Sequence, residues 1–191
     1  MTSRADTRTQ ILDAAESLFA LYGYRGTSTR SIAESAGLTQ PVINYHFDSK
    51  AALFEEALGR SIDRLVSSLG PVLEDLRSGD TGVAGAFREI CERVFEAPTT
   101  NRMIRSLSAH DDDELGLESR IKAATTLRQI AGAVGGEDTK TVATVFMTLS
   151  SLSDLSAMTQ AQRFTYGIDP HDLIEVGVAA VVDGARAAPV D

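Results

Sequence analysis

Sulfur chemistry and aromatic bulk are nearly missing from this chain: it holds one cysteine, Cys91, no tryptophan, and only 6% aromatic residues. One cysteine excludes an intramolecular disulfide framework and a cysteine-based zinc module. No apolar run approaches the roughly 18 residues a membrane-spanning helix requires, and the opening MTSRADTRTQ lacks the apolar centre of a secretory leader. Histidine is scarce too, with only His46, His110 and His171, and no G-x-S-x-G elbow, phosphate-binding loop or H-E-x-x-H pair occurs. These absences leave a cytoplasmic protein without metal or cofactor as the expectation.

What is present is ordinary globular material: 191 residues, 43% of them hydrophobic. That suits one large domain, or a small module joined to a larger one. The net charge of −9 is unevenly spread. Residues 1–50 hold five basic and five acidic side chains, so the whole excess lies in residues 51–191. A neutral head on an acidic body points to two parts with different partners.

Apolar positions recur at three- and four-residue intervals nearly throughout, and no stretch alternates as a strand would. The first helix starts near Asp6 or Thr7, places Ile11, Ala15, Leu18 and Tyr22 on one face with Phe19 beside them, and stops at Gly23. A second covers Thr29 to Ala36 and stops at Gly37, and a third runs from Gln40 to Phe47 behind Thr39 as N-cap, with Pro41 in its first turn. Asp48 or Ser49 caps a fourth, which carries Leu53, Phe54 and Leu58 and reaches Leu69 before Gly70-Pro71. Helices over 82–97, 99–109, 114–133, 138–165 and 170–187 follow, giving an all-α chain of about nine. The expected division is a helix-turn-helix head at 1–50 and a body at 51–191.

The link Ala36-Gly37-Leu38-Thr39 makes the second and third helices a helix-turn-helix pattern, which exposes the start of the latter for a DNA major groove. Structural helical hairpins share that pattern. The surrounding string is more specific: Ile11-Leu12-Asp13-Ala14-Ala15, Leu18-Phe19, Gly23-Tyr24, Thr27 to Ala33, Ala36-Gly37, then Tyr45-His46-Phe47-Asp48-Ser49-Lys50 and Leu53. Residues 7–58 resemble the DNA-binding region of the tetracycline-repressor family of bacterial regulators.

The resemblance implies a DNA-binding role for Thr29, Arg30, Thr39, Gln40, Pro41, Asn44, Tyr45, His46 and Lys50. Gln40 and Pro41 fall where the family reads bases, and their chemistry suits it: an amide matches the adenine edge, and a proline face meets a thymine methyl. Arg30 falls where an arginine reads guanine; a phosphate contact or a solvated side chain is the other reading. Thr29, Tyr45, His46 and Lys50 fall at backbone-contact positions, although His46 and Tyr45 could equally pack between helices. Asn44 stands where most members carry tyrosine, which removes a phenol and brings an amide toward the bases.

For the body, the resemblance implies a ligand site and a dimer interface. Phe87, Phe95, Met103, Ile104, Leu107, Phe146 and Met147 read as pocket walls for a small hydrophobic effector, with His110 or Arg105 as a polar contact, or else as plain core. Val145, Leu149, Leu152, Ile174, Gly177, Val178, Val181 and Gly184 read as a face shared with a second copy, or as a stripe facing the chain's own core. The function implied is a ligand-responsive repressor that binds palindromic operator DNA as a homodimer. Two other readings are a helical interaction protein whose head does not bind DNA, and a metal-dependent phosphohydrolase. His110-Asp111 is similar to the doublet of such enzymes, but His46, in the head, is poorly placed to join it. The acidic run 111–114 is explained as a solvated loop and helix start.

Overall fold

The computed structural model describes residues 4–108, 115–136 and 138–187; His110 and the acidic run 111–114 lie outside them. Among the described residues there are ten helices and no strand. They are α1 (Arg4–Gly26), α2 (Thr29–Ser35), α3 (Gln40–His46), α4 (Lys50–Ser78), α5 (Val83–Phe95), α6 (Pro98–Ser108), α7 (Leu117–Val134), α8 (Thr139–Ala157), α9 (Gln160–Tyr166) and α10 (Pro170–Ala187). The chain forms two compact units, one from Met1–Asp63 with Arg102–Ile121 and the other from Arg64–Asn101 with Lys122–Asp191. No described helix is long and apolar enough to cross a membrane.

Unit 1 buries the apolar face of α1 (Ile11, Leu12, Ala15, Phe19) together with Ile32, Ile43, Phe47, Leu53, Phe54 and Leu58. Gly23 takes φ 68° and ψ 177°, a backbone setting that essentially only glycine adopts, and this interrupts α1. The buried Thr27 hydroxyl shares its single proton between Gly23 O at 2.9 Å and Leu18 O at 3.1 Å, bracing this interruption. Arg60 of α4 reaches the buried Glu16 carboxylate of α1 at 2.6 Å and also pairs with Asp13. Glu55 accepts from the Ser119 amide at 2.8 Å, satisfying a donor at the start of α7.

Unit 2 is organised around α5, α8 and α10, which pack on one another. Its core includes Phe87, Ile90, Val94, Ile130, Val134 and Cys91. Burial pushes the Cys91 thiol up to about 12, with the Glu92 carboxylate adding to it.

Two boundaries differ from the sequence reading by more than a turn. Pro71 does not end the fourth helix: α4 continues to Ser78 with Pro71 inside it. An internal proline costs about 3 kcal/mol, because Ser67 O loses its amide donor. Leu69, Val72 and Leu73 are all buried beside it, each contributing about 1.5–3 kcal/mol, so burial outweighs the break. Arg93 also donates to the neighbouring Ser68 carbonyl at 2.6 Å. The second difference is at 138–165, where α8 ends at Ala157 and α9 starts at Gln160, which accounts for the tenth helix. Thr159 and Gln162 form a reciprocal capping box there, satisfying two amides that a continuous helix would not need capped.

Candidate nucleic-acid interface

The α2–α3 pair is built by local chemistry. Ser28 caps α2 in a capping box with Ser31. At its other end Gly37 takes φ 65°, and Leu38 N donates to Ala33 O at 2.8 Å while Gly37 N donates to Glu34 O at 3.2 Å. This is a Schellman ending, and its left-handed residue turns the chain within two positions toward α3. Thr39 precedes α3 in extended conformation, Gln40 and Pro41 begin it, and Phe47 closes it. Ile32, Ala33, Ala36 and Ile43 are buried and fix the two helices together.

The outward face of the pair carries Arg30, Thr39, Gln40, Pro41, Asn44 and Tyr45, all exposed. Gln40 Nε2 donates to Thr29 Oγ1 at 3.1 Å, so one edge of the exposed amide is held. Arg30 Nε donates to Glu34 Oε1 at 2.9 Å. The Arg4 guanidinium lies 5.0 Å from the Tyr45 ring centroid. His46 is half-buried, edge-on to Tyr45. Burial, then the charges of Arg4 and Arg8, lower the pKa of its imidazole from the usual histidine value.

Lys50 is engaged differently from its sequence-based expectation as a phosphate contact. Its ammonium donates to Tyr24 O at 3.0 Å and Thr27 O at 3.1 Å, and lies 4.1 Å from the Tyr24 ring centroid. Burial lowers its pKa. A cation closing two carbonyls is an internal staple for the turn between α1 and α2. Replacing Lys50 with alanine is expected to destabilise the protein by about 1–3 kcal/mol, the cost of leaving such acceptors unpaired. Urea unfolding measures this, and unchanged stability would return Lys50 to a purely external role.

Arg8 was not singled out by sequence reasoning. It stacks 4.4 Å from the Phe47 ring centroid, donates to His46 O at 2.8 Å, and pairs through both prongs with Glu56. Partners 38 and 48 positions away leave no local signal.

The body residues divide. Val145, Leu149, Leu152, Ile174, Val178 and Val181 are buried in the core of unit 2. Within the single chain that stripe covers α5 and joins α8 to α10. Gly177 sits where α10 passes α8 of the same chain: a Cβ there would lie 2.3 Å from Thr148 Cγ2. Gly184 lies in α10. Phe146 and Met147 are 52% and 63% exposed, so neither is a wall of an enclosed pocket as expected. Met147 instead lines an open groove of about 420 Å³ with Thr144, Ser151, Val176, Gly177 and Ala180. Phe87 is fully packed in unit 2, where Phe95 is half-buried beneath the Arg163 guanidinium. Met103 and Leu107 are buried and Ile104 half-buried in unit 1.

Comparison with known proteins returns to the first unit. Residues 11–57 match the sequence profile of bacterial regulatory proteins of the tetR family. The chain is 39% identical over 64 residues, 34% of its own length and 31% of the relative's, to the HTH-type transcriptional repressor KstR2 of Rhodococcus jostii strain RHA1. It is 39% identical over 70 residues, 37% of its length and 32% of the relative's, to the HTH-type transcriptional activator FasR of Mycolicibacterium smegmatis. The matched stretch thus spans about a third of these curated relatives. A TetR-like transcriptional regulator from Rhodococcus sp. RHA1 has a similar fold, with a TM-score of 0.70 at 18% identity, over 98% of this chain and 100% of that one. At that identity the likeness concerns the fold alone.

Proposed function

We propose that this chain, whose residues 11–57 carry the tetR-family match, is a tetR-family regulator acting as a cytoplasmic, homodimeric repressor of transcription that a small hydrophobic effector releases from a palindromic operator. The observation carrying the reading is the exposed cluster of Arg30, Gln40, Pro41 and Asn44 on two short helices whose mutual angle is fixed by the Gly37 turn. Those side chains offer a guanidinium fork, two amides and an apolar face, the inventory needed for direct reading of base edges in the major groove. The head at 1–50 is the DNA-reading part in this scheme, and the body at 51–191 dimerises and takes the effector.

Two copies are required because one head touches few bases, whereas twofold-related heads one helical turn apart, about 34 Å, read a palindrome. The exposed groove of α8 and α10, with Met147, Val176 and Ala180, is assigned to the second copy in place of the stripe that the core consumes. Repression follows from occupancy of a promoter. An effector that binds the body and shifts α4 weakens operator binding, and operator DNA then weakens effector binding by the same factor. Within unit 2, half-buried Phe95 keeps its assignment to the effector, whereas Phe87 would have to loosen from full packing to reach it.

The test is selection of bound duplexes from a random pool, followed by stoichiometry and salt dependence of the best site. A palindrome bound by two chains with a steep salt slope is expected. Gln40→Ala should cut discrimination at one base pair of each half-site by about 1–3 kcal/mol and leave binding to random DNA nearly unchanged. No enrichment by folded protein at low salt would favour a helical interaction protein instead.

A further inference from the structure

We propose that Glu34 determines the sequence specificity of the α2–α3 surface by holding Arg30 for a base edge and against a phosphate. The proposal rests on the reading of that surface as the DNA interface. Arg30 and Glu34 lie one helical turn apart on α2, joined Nε to Oε1 at 2.9 Å, with 78% and 65% of their side chains exposed.

Stability does not account for the pair. An exposed ion pair at this spacing contributes little. The order is also the poorer one, with the cation toward the helix N-terminus and the carboxylate toward its C-terminus, each facing the unfavourable end of the helix dipole. Nor does Glu34 help nonspecific binding, since it places a carboxylate on the surface meant for a polyanion. A feature that gains neither stability nor affinity is explained by discrimination.

The geometry supplies the means. With Nε held by Glu34, Arg30 keeps Nη1 and Nη2 as its outward pair, and that end of the guanidinium matches guanine O6 and N7. A phosphate contact by the same arginine would bring the Glu34 carboxylate within a few ångströms of the phosphate, far inside the screening length of about 8–10 Å at moderate salt. The pair therefore offers a phosphate almost no net charge while leaving the two-pronged base contact intact. Next to it, Gln40 is restrained in the same manner by Thr29. Both outward-reaching side chains are thus tethered from behind.

The experiment compares the wild-type protein, Glu34→Ala, Arg30→Ala and the double variant in duplex selection and in titrations against the best site, its single-base-pair variants and a random duplex. Position 34 is exposed, and the alanine substitution favours the helix, so folding is retained. Glu34→Ala is expected to tighten binding to random DNA by a few-fold and to reduce discrimination at one base pair per half-site by about fivefold or more. That base pair should be the one whose preference Arg30→Ala abolishes, and adding Glu34→Ala to Arg30→Ala should remove nothing further there. A uniform gain in affinity with every preference unchanged would overturn the proposal, leaving Glu34 a mere repulsive charge. A loss that persists in the Arg30→Ala background would overturn it too, because Glu34 would then act without Arg30. Failure of the wild type to select any site is a separate result, which removes the DNA-binding reading itself.

Discussion

Replacing Phe54 with alanine is expected to lower the unfolding free energy by about 3–5 kcal/mol, the range for truncating a fully packed phenylalanine. Phe54 is wholly buried at the start of α4. Its ring meets Phe19 edge-on at 4.9 Å and Tyr24 at 5.4 Å, so one side chain joins α4 to α1 and to the segment that Lys50 staples. Truncation removes both aromatic contacts and leaves a cavity between elements that Gly23 already interrupts. For a chain of this length the loss corresponds to a fall in melting temperature of about 10 °C. Tyr22→Ala, at an exposed position near the same turn, should change stability by less than about 0.5 kcal/mol. A Phe54→Ala protein within 1 kcal/mol of the parent would mean that this aromatic cluster is not what holds unit 1 together.

The second large effect concerns assembly. Glutamate at both Met147 and Val176 should convert the proposed dimer to monomer and reduce operator affinity by at least about a hundredfold, since each head would bind alone. The twofold axis doubles every substitution, so four carboxylates would enter one apolar seam, and desolvating an unpaired carboxylate costs several kcal/mol. Sedimentation at micromolar concentration reads the mass directly. Phe164→Glu is the comparison, because Phe164 is 88% exposed on α9 and is not among the groove residues. A double variant that still sediments as a dimer and binds its operator normally would place the second copy elsewhere.

The parts of the fold governed by near neighbours were legible. The stop at Gly37 and the start at Thr39, Gln40 and Pro41 follow from the conformations open to those residues, and the structure has both. The start of α9 was legible as well: Thr159 and Gln162 have the spacing of a capping box. The apolar rhythm running through Leu152 and Leu155 hid it, because periodicity marks a buried face without marking where the helix pauses. Pro71 shows the opposite error, a sound local rule overruled by burial of Leu69 and Val72.

Long-range partnerships were out of reach. Lys50 looked like a free cation because its carbonyl partners lie 23 and 26 residues back. The stripe of α8 and α10 was correctly read as apolar, yet no pattern within a helix states which surface it meets. In the site, the residue types were legible, but their tethers were not. Thr29 reaches Gln40 only after the chain turns, and the Glu34 contact depends on which of several rotamers Arg30 adopts.

The burial of Cys91 has a practical consequence for spectroscopy. Burial pushes its pKa up to about 12, so the thiol stays protonated at neutral pH, and the core of unit 2 shields it. Maleimide dyes and nitroxide labels attack thiolates, so the native protein should pass through a labelling reaction unmodified. A cysteine introduced on the exposed surface would then carry the only reporter, with the natural sulfur left in place and its packing intact. Fluorophores at position 48 of the two chains of the proposed dimer would give a single distance, and its change on adding selected duplexes or candidate effectors could be followed in the otherwise native protein.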